Sequence, residues 1–166
     1  MAITAVTALT APQYTGDIND WAIKEFHFGP YIGTAGSGIT LGAASYPLMV
    51  LTETSDVVAI LVRQGTAGAG AAATLRFYQA PSGTALASGT AMSAAEDVQA
   101  ASLAINTVGI VDLTAGSYTN LPAGTVIGFV AAGTVAAIVG LEITVVLRKK
   151  AQRTTDAGNR FYTRNA

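Results

Sequence analysis

Apolar positions along the chain fall into short runs separated by glycine-rich turns. "PLMVLTE" (47–53), "DVVAILVR" (56–63), "ATLRFYQ" (73–79) and "TVGIVDL" (107–113) are rich in Val, Ile, Thr, Phe and Tyr, residues that suit a pleated, half-buried surface. Around them stand "GTAGSG" (33–38), "QGTAGAG" (64–70), "APSG" (80–83), "TAGS" (114–117), "LPAG" (121–124) and "AAGT" (131–134). Short strands with turn signals at this spacing predict an all-β fold, a β-sandwich or jelly-roll-like body. No fixed repeat period links the runs.

One segment departs from this pattern. "SAAEDVQAASLAI" (93–105) opens with Ser93 and places Glu96 three residues later, as in a capping box, and Val98, Ala101 and Ile105 then share a helical face. A single short helix between strands is expected there.

The longest apolar stretch, "GTVIGFVAAGTVAAIVGLEITVVLRKK" (124–150), admits two readings. Residues 121–141 carry no charge over 21 positions, and about 20 apolar residues span a bilayer as a helix. Against a span, Leu141, Ile143, Val145 and Leu147 alternate with Glu142, Thr144, Val146 and Arg148, the period of a half-buried strand. "LPAG" suits a type I turn with Pro122 at i+1 and Gly124 at i+3. The β-branched density and the alternation favour two core strands, 125–130 and 135–148, joined by a turn at 131–134.

Composition sharpens the picture. At 166 residues the chain is long enough for one domain with a real core. Only 11% of residues are charged and 51% are hydrophobic, against about 25% charged in ordinary globular chains. A surface this poor in charge calls for cover from neighbouring subunits or a membrane. The charge is also unevenly placed: residues 1–147 hold three basic and nine acidic side chains, a net of -6, whereas 148–166 hold six basic and one acidic, a net of +5. The organisation read from this is an N-terminal arm (1–32), a β-sandwich body (33–147) and a basic C-terminal arm (148–166). Such a split marks an interaction segment. The N-terminus lacks the positive and apolar regions of a signal peptide, so export by that route is not expected.

Candidate chemistry is sparse. The chain has no cysteine, and its single histidine, His27, sits between two phenylalanines in "KEFHFGPY", where packing is the simpler reading. The carboxylate pairs Asp17/Asp20 and Glu96/Asp97 have no other catalytic group beside them in sequence. "GAGAAA" (68–73) fits a dinucleotide-binding glycine pattern in outline, but a strand-like run follows it where that fold requires a helix. No enzyme activity, cofactor or metal is therefore expected.

Two groups remain as candidate partner-binding residues. Tyr14, Trp21, Phe26, Phe28 and Tyr31 concentrate aromatics in the first arm, either plugging the chain's own sandwich or anchoring a subunit interface. Arg148, Lys149, Lys150, Arg153, Arg160, Phe161, Tyr162 and Arg164 give the tail its basic and aromatic character. The tail is a solvated extension, a phosphate binder or a segment that docks on an acidic neighbouring body, the last favoured by the charge split. Nucleic acid and membrane are not expected among the partners. A glycan-binding sandwich would use exposed aromatics near acids, and Tyr118 with Asp112 is the candidate for that reading.

In its Thr/Ala/Gly-rich opening "MAITAVTALTAPQ", its β-rich centre and its terminal arm, the chain resembles the capsid decoration (cement) proteins of tailed bacteriophages. That resemblance implies a non-enzymatic virion protein on the outer head surface, made in the host cytoplasm and often trimeric. Its partners would be the major capsid protein or other virion subunits, bridged by the aromatic anchors and the basic tail. A head fibre, tail or neck component is the alternative within the virion. A glycan-binding module or a single-span membrane protein are the alternatives outside that class.

Overall fold

A computed structural model of the chain describes residues 23–32, 39–65, 73–98 and 103–149. Ten strands account for most of them: β1 (Ile23–Ile32), β2 (Ile39–Thr40), β3 (Ser45–Val50), β4 (Ser55–Arg63), β5 (Ala73–Ala80), β6 (Thr90–Ala91), β7 (Glu96–Asp97), β8 (Val108–Ile110), β9 (Val126–Gly133) and β10 (Val139–Lys149). They form two sheets, β2-β1-β10-β4-β8 and β3-β9-β5-β6, with β7 also paired to β5. All pairs are antiparallel except the short β1·β2 contact.

The order of pairing identifies the topology. β1 pairs β10, β3 pairs β9, β4 pairs β8, and β5 pairs β6 and β7, so the chain is one long nested hairpin. Successive rungs of that hairpin fall in alternate sheets, and the wraps are joined by β10·β4 and β9·β5. A nested antiparallel ribbon rolled in this way is a jelly roll. The sandwich expected from sequence is present, with its topology now assigned.

The apolar stretch from 124 supplies β9, a 3₁₀ turn at Val135–Ala137, and β10. It is two strands in different sheets, and among the described residues no helix is long and apolar enough to cross a membrane. β9 runs to Gly133 rather than stopping at residue 130, because Ala131, Ala132 and Gly133 continue the ladder against Leu75, Thr74 and Ala73. The expected alternation holds in β10: Leu141, Ile143 and Val145 are fully buried while Glu142 is exposed. A register shift after Val146 then interrupts the period, and Val145, Val146 and Leu147 are all buried.

The turn before β9 is offset by one residue from its expected position. The Thr125 amide donates to the Pro122 carbonyl at 3.2 Å, and Gly124 has φ +86°, the positive value a type II turn places at i+2. Gly128 is required for a different reason. A Cβ there would lie 2.3 Å from the Tyr46 carbonyl oxygen and 2.6 Å from Leu86 Cδ2, so only glycine lets β9 approach β3 this closely.

The helix expected at 93–105 is not formed at its start: Glu96–Asp97 is a strand on β5. Ser93, the anticipated cap, accepts from the Phe77 amide at 3.2 Å and donates to the Ala94 carbonyl at 2.6 Å. The Val98 amide donates to the Ala73 carbonyl at 3.0 Å. A local helix signal has been overridden by the unpaired edge of β5, which offers backbone partners the segment would otherwise lack.

Between the sheets the core is organised around Phe129. Its ring stacks on Tyr46 at 5.0 Å, meets Tyr31 edge-on at 5.5 Å, and packs on Phe77 at 6.0 Å. Tyr31 comes from the first sheet and the other rings from the second, so this cluster fastens the two layers together. Phe129→Ala is expected to cost about 3–5 kcal/mol in denaturant unfolding. Val50→Ala, at a position 57% exposed, is expected to stay within about 0.5 kcal/mol.

Candidate interaction surface

Residues 23–32 of the expected N-terminal arm form β1, which lies inside the first sheet between β2 and β10. Phe26 and Phe28 are half-buried and pack against the core. Tyr31 is fully committed to it, and burial, aided by neighbouring Tyr46, pushes its phenol above the ordinary tyrosine range. These three aromatics therefore serve the chain's own sandwich. His27 lies between them on the exposed side, its Nδ1 2.9 Å from Thr144 Oγ1. Tyr14 and Trp21, and Lys150, Arg153, Arg160, Phe161, Tyr162 and Arg164 of the tail, lie outside the described residues.

The first two cations of the tail are engaged on the body itself. β10 ends with Arg148 opposite Asp56 and Lys149 opposite Ser55. Arg148 donates to Asp56 Oδ2 at 2.6 Å, and Asp56 Oδ1 accepts the Asn120 amide at 2.8 Å, which accounts for a carboxylate only 3% exposed. Lys149 pairs with Glu53 at 2.5 Å, and Lys24 approaches the same carboxylate at 3.7 Å. The hydrogen bond from Lys149 and the two positive charges hold the Glu53 carboxyl below its usual range, despite partial desolvation. The acidic body and the start of the basic segment thus meet within one chain.

A cleft of about 100 Å³ opens beside this ion cluster. Phe26, Met49, Leu51 and Leu147 form its apolar wall, and Lys24 and Lys149 stand at its rim.

At the opposite end of the first sheet the surface is aliphatic. Ile105, Val108, Ile110 and Val139 are between 37% and 54% exposed. The amide of Gly65, which follows β4, donates to the Val139 carbonyl, and the Gln64 backbone carbonyl accepts the Asn106 amide, so these residues belong to one corner of the sheet. The sequence reading missed this corner: "TVGIV" is apolar at nearly every position, and its two faces can be told apart only once β4 is placed beside it. Arg63 bridges Glu142 at 2.9 Å and Asn106 at 3.1 Å next to the patch.

Of the glycan candidate, Tyr118 is partly buried against the core while Asp112 is exposed. Asp112 instead acts on Glu96. Burial, with the Asp112 charge as a second cause, raises the Glu96 carboxyl above its usual range. Among the described residues no group of three or more His, Asp or Glu side chains is placed to hold a metal.

No protein-family model matches the chain. No curated protein matches it either. Among solved structures it is similar to a chain described as "Cyanophage Pam1 capsid asymmetric unit", at 14% identity and a TM-score of 0.43, over 84% of this chain and 93% of that one.

Two outcomes follow from this geometry. A chain ending at Leu147 is expected to be less stable than one ending at Lys149 by about 2 kcal/mol, because it leaves buried Asp56 without its charged donor; denaturant unfolding of the two truncations checks this. Glu96→Gln is expected to raise the melting temperature at pH 7, because burial and the Asp112 charge disfavour the ionised form of the wild-type carboxyl. The gain should vanish as pH falls below the ordinary carboxylate range, where folded and unfolded chains are both protonated.

Proposed function

We propose that this chain is a non-enzymatic structural subunit of a virion, a decoration or cement protein that binds the outer surface of the major capsid shell and stabilises it. The observation that carries this reading is a jelly-roll body with an exposed aliphatic corner on a chain of very low charge. Jelly rolls are a recurrent architecture of capsid proteins, and exposed apolar patches of this kind mark sites that another protein covers. The resemblance of the opening segment and general character of the chain to phage decoration proteins supports the same reading.

On this account the work of the protein is mechanical. The body presents a two-layer sandwich, and the segments 1–22 and 150–166 would contact neighbouring virion subunits. Trp21 and Tyr14 would serve as aromatic anchors. Lys150, Arg153, Arg160 and Arg164, with Phe161 and Tyr162 among them, would meet acidic surface on the shell or on another copy. Arg148 and Lys149 act differently: they fix the point from which the tail departs.

Antibody raised against the recombinant chain and detected with gold on purified particles of the encoding virus tests the proposal. Label is expected over the outer head, and heads lacking the protein should rupture at lower temperature. Label confined to the tail or neck would move the chain to that part of the virion. Its presence in the infected-cell lysate but absence from purified particles would contradict a structural role altogether.

A further inference from the structure

We propose that β8 is a pairing edge for a second copy of this chain, joined antiparallel across a two-fold axis beside Gly109 so that the first sheets of the two copies run continuously into one another. β8 closes the β2-β1-β10-β4-β8 sheet, and among the described residues only β4 pairs with it.

The hydrogen-bond pattern gives the register. Leu61 stands opposite Ile110, Val62 opposite Gly109 and Arg63 opposite Val108, while the Val111 amide donates to the Ile60 carbonyl at 2.9 Å. Antiparallel ladders alternate between bonded and non-bonded pairs. The backbone groups of Gly109 and Val111 therefore face β4, and those of Val108 and Ile110 face away from it. Two outward residues separated by one inward residue form a self-complementary unit. Rotated about Gly109, Val108 of one copy lies opposite Ile110 of the other, and about four new backbone hydrogen bonds close the pair.

Side chains point to the same partner. Val108 is 37% and Ile110 48% exposed, and their β-branched groups would meet across the axis in the pairing that sheets favour. A Cβ on Gly109 would lie 3.0 Å from Leu103 Cδ1, so position 109 faces the body and keeps the dyad clear. Natural edges are usually guarded by proline, bulges or charge. β3, an edge of the second sheet, carries Pro47 and a register shift beside it. Residues 107–111, Thr-Val-Gly-Ile-Val, carry neither proline nor charge. A three-residue strand buries little area, so the dimer is weak in isolation, with a dissociation constant roughly between micromolar and millimolar, and would gain strength where copies are held side by side.

Sedimentation velocity of the full chain over a concentration series should show a monomer–dimer equilibrium, and Ile110→Lys should weaken it at least tenfold while leaving the far-ultraviolet circular dichroism unchanged. The chain has no cysteine, which permits a register test that does not depend on the lysine variant. Val108→Cys and Ile110→Cys chains mixed under mild oxidation should give chiefly the mixed disulfide dimer, because residue 108 of one copy faces residue 110 of the other. A full chain that stays monomeric at millimolar concentration, or a mixture in which like-with-like dimers equal or exceed the mixed one, would overturn the proposal.

Discussion

Both sheets depend on strands cut from one apolar stretch. β9 lies between β3 and β5, and β10 lies between β1 and β4, so residues 126–149 provide a central strand to each layer. A central strand bonds its backbone on two sides and presents its inner face to the opposite sheet. This explains why the stretch is so uniformly apolar and β-branched that it imitates a membrane helix. The rest of the jelly roll is arranged outward from these two strands. β1 and β4 pair with β10, β3 and β5 with β9, and the short strands β2, β6, β7 and β8 lie outside these.

Among the described residues the ion pairs lie toward the two ends of β10. At one end of β10, Arg148 and Lys149 neutralise Asp56 and Glu53, and Lys24 from β1 joins the same acid. Near the other end, Arg63 and Glu142 pair on the exposed face. The exposed pair adds little stability by itself, whereas the nearly enclosed Asp56 requires its partner once buried. A few ion pairs placed at strand ends thus give a low-charge chain defined limits. Beyond these pairs, the aliphatic corner at Ile105, Val108, Ile110 and Val139 is left exposed.

Much of the fold was legible in the sequence, because β-branched runs and glycine turns report local geometry. β4 and β5 lie where "DVVAILVR" and "ATLRFYQ" put them, and Glu142 is on the wet face of β10. What was illegible depends on distant partners. Ser93 and Glu96 make a credible helix start until the edge of β5 is beside them. Phe26, Phe28 and Tyr31 read as arm residues because nothing in "EFHFGPY" reveals that β10, more than a hundred positions away, will pair with it. The candidate site was legible only in part for the same reason. Arg148 and Lys149 stand out in the sequence as charges, but their acids lie on a turn and a strand far away in sequence. The outward side of β8 was hidden within a run that is apolar on both faces.

The architecture rests on β10 as the middle strand of the first sheet, with β1 on one flank and β4 on the other. Nuclear Overhauser contacts in perdeuterated, amide-protonated protein test it most directly. Cross-strand contacts are expected from Val145 and its neighbours to the region of Phe26 on one side and of Ile60 on the other. Sequential helical contacts through residues 124–141, or contacts from β10 to only one of those flanks, would contradict it.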